Sequence, residues 1–329
     1  MRRLLVCLLI LLAGPAAAQC TGTDLIAAMP EDERLAMEQE AAAQPYSEGI
    51  LWRAAKDGRS IHLVGTMHTY DSRHQATLDR IAPFLENAKT VLMELGEGDE
   101  ARLQRMIAET PDLAFITEGP TLPELLSKED WDALRVAMSD RGIPGFLAAK
   151  MKPWMAMANL SISKCMFQDL LAGRRGLDAQ LMERAAELGR PAVALEPLDT
   201  ALKLFGAYSE EEQLDLLRLA LAQQDAEDAS YDVTVAEAYF REDVLQIWLW
   251  SLKLMEELTP LPPEEMDTQI ALFEDLLLTA RNRAWIDEIL TAEGDTLVAV
   301  GAMHLPGDEG VLNLLEQEGF EITRLPLTQ

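Results

Sequence analysis

Four short apolar runs, each ending in a histidine or a glutamate, constrain this chain more than anything else in it. The first runs from Ile61 into Gly65-Thr66-Met67-His68, and the second is Thr90-Val91-Leu92-Met93-Glu94-Leu95. The third spans 191–196 and ends in Glu196, and the fourth runs from Thr296 into Gly301-Ala302-Met303-His304. Short apolar runs bounded by turn formers are strands buried on both faces. Between them lie longer stretches with apolar residues at helical spacing, over 75–88, 102–109, 127–141, 147–171 and 177–188, then 200–258, 264–290 and 310–318. Strands alternating with helices predict an α/β protein with a central mixed β-sheet flanked by helices. The strandless region from about 200 to 290 reads as a large helical insertion or cap. A hairpin is expected over 50–64, turning at Asp57-Gly58, because Gly accepts the positive φ of tight hairpins. A last strand is expected over 320–325.

Residues 1–18 stand apart from this pattern. Arg2 and Arg3, the apolar run 4–12, the break at Gly14-Pro15 and Ala16-Ala17-Ala18 form a cleavable signal peptide. The run is shorter than the roughly 20 residues that span a bilayer. The expected mature chain starts at Gln19, carries no membrane span and is periplasmic or secreted. A lipoprotein anchored at Cys20 is the alternative, disfavoured by Gln19 where a small residue belongs. Residues 19–45 read as an acidic lead-in and 46–329 as the main domain. Of three cysteines, Cys7 leaves with the signal. Cys20 and Cys165 remain, either as a disulfide pinning the lead-in to the body or as two thiols.

The charge balance narrows the partners. With 28 Lys+Arg against 56 Asp+Glu, the net charge is −28, which argues against a nucleic-acid backbone as partner. A peptide or small-molecule substrate is the expected partner.

Only four histidines are present, His62, His68, His74 and His304. His68 and His304 share the setting of an apolar strand followed by Gly-x-Met-His. In open α/β sheets, strand ends are where ligands bind. Glu94 and Glu196 close the two other strands, and a carboxylate beside a buried strand needs a partner or a metal. Two imidazoles and a carboxylate form a ligand set for a divalent metal with an open position. Each glutamate has an alternative reading as a helix cap. His62 and His74 read as surface residues. Arg281, in Arg281-Asn282-Arg283, is either an exposed helix charge or the group that neutralises a site glutamate and steadies an oxyanion. Met151, Met155, Met157 and Met166 read as core filling. No His-Glu-x-x-His helix, phosphate-binding glycine loop or Gly-x-Ser-x-Gly elbow occurs.

Taken in order, these pieces resemble the TraB/GumN family, which includes the Tiki metalloproteases. The series runs Leu51-Trp52, Gly65-Thr66-Met67-His68, Leu92-Met93-Glu94-Leu95, Lys152-Pro153-Trp154, Gly176-Leu177-Asp178, Ala194-Leu195-Glu196, Arg281-Asn282 and Val300 to Leu305. The bacterial GumN-like branch is the closer likeness. The resemblance implies paired Gly-x-x-His motifs facing one another across a cleft and metal-dependent peptide cleavage. His68, His304 and Glu94 become the expected metal ligands, with Glu94 or Glu196 as general base and Arg281 as polar partner. Mn²⁺, Co²⁺ and Zn²⁺ all suit mixed nitrogen and oxygen ligands. Two alternatives stay open: a non-enzymatic envelope protein that binds a metal or ligand, and a small-molecule esterase using the same cleft.

Overall fold

The computed structural model describes residues 20–206, 208–222, 229–258 and 262–327. The expected signal peptide lies outside the described residues. One six-stranded sheet organises the chain, made of β1 (Leu51–Lys56), β2 (Arg59–Thr66), β3 (Thr90–Met93), β4 (Val193–Ala194), β5 (Thr296–Gly301) and β6 (Glu321–Arg324). Its order is β4-β3-β5-β2-β1-β6. β4, β3, β5 and β2 run parallel, while β1 pairs antiparallel with both β2 and β6. The sheet is therefore mixed, and its parallel part carries the four apolar runs. Asp57 and Gly58 both take positive φ, 50° and 80°, and close the β1–β2 hairpin as their residue types require.

The apolar runs are continuous because both sheet faces are covered. In β5, Leu297 and Ala299 enter a core with Ile81, Leu85, Leu181, Tyr239 and Trp250. Val298 and Val300 enter the opposite core with Trp285, Ile286, Ile289, Val311 and Leu315. The first face is roofed by helices His74–Asn87, Leu177–Glu187, Ser230–Phe240 and Val244–Leu258. The second is roofed by Ala280–Thr291 and Val311–Gln317. A third core gathers Leu122, Leu134, Met138, Met151, Leu160 and Leu217 in a helical lobe, with Met155 and Met157 packed against it. Three of the four clustered methionines are thus core filling.

Several expected elements are shorter or broken. The helix anticipated over 147–171 is three pieces, Gly145–Ala148, Pro153–Leu160 and Lys164–Leu171. Lys152 is extended ahead of Pro153, and the Ser163 side chain caps the third piece by accepting from the Met166 N–H. The stretch 200–258 is likewise divided, with one break at Glu242, which takes φ 65° between Ser230–Phe240 and Val244–Leu258. The strand expected over 191–196 pairs only at Val193 and Ala194, hemmed by Pro191 and Pro197.

The lead-in is bound to the body. A Cys20–Cys165 disulfide joins it to the helix Lys164–Leu171, with Cα atoms 5.6 Å apart. Thr23 and Leu25 N–H groups donate to Ser230 Oγ and Thr234 Oγ1, and Arg241 pairs with Asp24. Among the described residues no helix is long and apolar enough to cross a membrane.

Candidate functional site

The parallel strands β2, β3 and β5 end side by side, so the residues that follow them converge. Gly301, at the end of β5, is the meeting point. A Cβ on Gly301 would stand 3.3 Å from Glu94 Oε1, 3.5 Å from His304 Cδ2 and 4.0 Å from His68 Nε2. Its φ is −48°, so glycine is needed here for close approach rather than for a left-handed turn. The Gly301 N–H donates to Glu94 Oε1 at 2.7 Å. The structure thus brings His68, Glu94 and His304 to one spot.

Arg281 and Glu196 complete the cluster. Arg281 comes from the helix Ala280–Thr291, just after a π-helical turn at Asp275–Thr279. Its Nη2 donates to Glu94 Oε2 at 2.7 Å and to Glu196 Oε1 at 2.8 Å, and its Nε donates to Glu196 Oε2 at 2.8 Å. Trp285 Nε1 donates to the same Glu196 Oε2 at 3.2 Å. The Arg281 side chain is only 14% exposed, so it is a buried bridge between two carboxylates and not a solvent charge.

The two histidines are held differently. His304 Nδ1 lies 2.6 Å from Asn282 Oδ1. Asn282 Nδ2 donates to the Glu309 carbonyl, which orients the amide and leaves its oxygen to accept from the ring. His304 therefore carries its proton on Nδ1, and Nε2 faces Arg281 Nη1 at 3.3 Å and Glu94 Oε1 at 3.8 Å. Burial pushes its pKa down to about 4, aided by the Arg281 and His68 charges and opposed by Glu94. His68 Nδ1 pairs with Asp178 Oδ2 at 3.1 Å, and its side chain is 68% exposed. The Asp178 hydrogen bond raises its pKa to about 9, against desolvation. For Glu94, burial acts upward, but the neighbouring His304, Arg281 and His68 and the Gly301 N–H hold the pKa down at about 2.

Asp178 reaches His68 because Gly176 lets a helix start dock on the His68 backbone. A Cβ on Gly176 would overlap the His68 carbonyl, and the Leu177 N–H donates to the Met67 carbonyl at 2.9 Å. Asp178 and Asn282 were not expected as site residues. Their only sequence signal is their place in the Gly176-Leu177-Asp178 and Arg281-Asn282 pieces.

The other histidines lie outside the cluster. The expected surface position of His74 is wrong. It is fully buried against Tyr239 and Phe240, with Nε2 2.9 Å from the Thr69 carbonyl. His62 is half-buried and stacks on Phe84 with centroids 4.1 Å apart.

The donor chemistry fits a divalent cation. Each imidazole has its Nδ1 committed to a side-chain oxygen, Asp178 or Asn282, and its Nε2 turned toward the Gly301 corner. This is how metal-binding histidines are commonly oriented. Glu94 and Glu196 also carry two negative charges against the single Arg281 guanidinium. As the side chains stand, no three His, Cys, Asp or Glu groups among the described residues are arranged to hold an ion.

Comparison with known proteins bears out the family likeness. The model of the TraB/PrgY/gumN family matches residues 50–324, which contain every residue of the cluster. No curated protein matches the chain.

Proposed function

Starting from a chain that belongs to the TraB/PrgY/gumN family, we propose that it is an exported metal-dependent hydrolase acting on peptide bonds. One observation carries this reading: the convergence of His68 Nε2, Glu94 Oε1 and the His304 ring around Gly301. His68, His304 and Glu94 would hold the ion, with Mn²⁺, Co²⁺ and Zn²⁺ all compatible. Such an ion, when bound, supplies a polarised substrate carbonyl and a bound water of lowered pKa.

The remaining residues divide the work. Asn282 fixes His304 in the Nδ1–H form, and Asp178 does the same for His68 once that ring is neutral. Glu94 accepts from the Gly301 N–H and from Arg281 and is held ionised beside both imidazoles, which suits it as a ligand rather than as the base. Glu196 has both oxygens committed to Arg281 and Trp285, which makes it a positioning residue for Arg281. Arg281 brings a fixed positive charge to a partly dry site, where it would stabilise an oxyanion. Export rests on the 1–18 pattern and agrees with the Cys20–Cys165 disulfide.

The test is elemental analysis of the mature protein, then a peptide-cleavage screen with each metal and with chelator. His304→Ala should abolish both metal uptake and cleavage while the circular dichroism spectrum stays native. Cleavage that survives both chelator and His304→Ala rules the mechanism out. A second reading, a binding protein without turnover, is favoured by Arg281, which already neutralises much of Glu94 and Glu196. Stoichiometric metal with no cleavage of any peptide selects that reading. Small-molecule ester hydrolysis without peptide cleavage would keep the site and change the substrate.

A further inference from the structure

A cleft about 370 Å³ in volume opens beside the loop that carries His68. Thr69 and Tyr70, the next residues after His68, form part of its wall, and the helices Lys164–Leu171 and Ser230–Phe240 form the opposite walls. Its charges are unevenly matched. Arg73 pairs with Asp71 at 2.8 Å and with Glu237 at 3.0 Å. Arg174 Nε donates to Asp169 at 2.8 Å. Among the described residues no cation pairs with Asp232. It is only 6% exposed, and its Oδ2 is buried without a hydrogen-bond partner. Ser163 supplies its one side-chain hydrogen bond, while burial pushes its pKa upward, as expected for a carboxyl lacking a counter-charge. Met166, Val233 and Ala236 give the same cleft apolar surface beside that carboxyl.

A buried carboxyl with one oxygen unpartnered and no counter-charge, apolar walls for a stem and an opening beside His68 together describe one kind of ligand. We propose that this cleft is a subsite for an alkylammonium group, the side chain of a lysine in the peptide substrate. The methylene stem lies along Met166, Val233 and Ala236, and the ammonium donates to Asp232. The word substrate rests on the hydrolase reading above, whereas the ammonium site itself does not.

Binding, not turnover, is therefore the test. N-acetyl-lysine amide and N-acetyl-norleucine amide are titrated into the full mature protein and followed by ligand-observed NMR. The lysine compound should bind about tenfold more tightly, as a charge-assisted hydrogen bond in a partly dry site allows. Asp232→Asn should remove that preference, and His304→Ala should leave it intact. Equal binding of the two amides to the wild-type protein overturns the proposal, and needs no variant to fold. Unchanged lysine preference in folded Asp232→Asn also overturns it, as does its loss in His304→Ala, which would move the binding to the Gly301 corner. Failure of peptide cleavage with the lysine preference retained would sink the hydrolase reading and leave this site standing.

Discussion

The two Gly-x-Met-His segments are nearly the same in sequence and opposite in electrostatics. His304 is buried, faces an arginine and is pinned by a neutral amide, so it stays uncharged until about pH 4. His68 is two-thirds exposed and pinned by a carboxylate, so it holds its proton to about pH 9. The strand and glycine place both rings at one corner, but the neighbours from helices decide what each ring does there. A motif fixes position, and the residue reaching in from elsewhere in the chain fixes protonation.

The largest effect should come from the group that both histidines share. Glu94→Gln leaves the buried Arg281 with one carboxylate and removes the charge facing both rings, and should destabilise the protein by about 3 kcal/mol. A denaturant midpoint within experimental error of wild type would mean the two halves are not coupled through Glu94. Next is Asn282→Ala, which leaves the His304 Nδ1–H without its acceptor in a buried position. The expected loss is about 1–3 kcal/mol, together with weaker metal uptake of about 10–100-fold. Unchanged stability and metal content would show that the Asn282 contact does not order the ring.

The acid limb of stability follows with a worked sign. His304 has its folded pKa below 6.5, so the unfolded chain takes up the proton first, and stability falls as pH drops from about 6.5 toward 4. Glu94 has its folded pKa lowered from 4.5, so its contribution is present above 4.5 and is lost as pH falls toward about 2. His68 has the reverse sense. Its raised pKa contributes below 6.5 and is lost as pH rises toward about 9, weakly because the ring is solvated. Melting temperatures from pH 3 to 9 should show a steep acid side and a shallow alkaline side. A symmetric profile would contradict the contrast between the two rings. The smallest effect is Asp178→Asn, which should cost about 1 kcal/mol or less at a pair whose His68 side is exposed. In an NMR titration it should bring the His68 pKa down toward its ordinary value. A His68 that still titrates near 9 in this variant would assign the shift to something other than Asp178.

Strand ends were legible because their chemistry is local. The runs before His68, Glu94, Glu196 and His304 are apolar for a reason visible in sequence, burial on both faces, and the polar residue at each end stands out against them. The family likeness was legible from the same pieces. Asp178 and Asn282 were not, because each sits near the start of a helix whose docking depends on tertiary contacts such as Gly176 against the His68 carbonyl. The surface reading of His74 failed for a related reason. His74 lies just beyond the first Gly-x-Met-His segment, where a polar turn is expected, but Tyr239 and Phe240 arrive from far along the chain to cover it. A helix break was missed at Glu242, where apolar spacing continued across it, whereas Pro153 itself signals the break at Lys152. Arg281 had two readings, and only its distance to Glu94 and Glu196 separates them.

Strand β5 lies between β2 and β3, yet it is made some two hundred residues after β3. During synthesis, both neighbours must wait with open edges for a central piece that has not yet emerged. Such late insertion favours slow, non-local assembly and leaves apolar surface in need of protection meanwhile. A chain built this way gains from being kept unfolded until β5 has emerged.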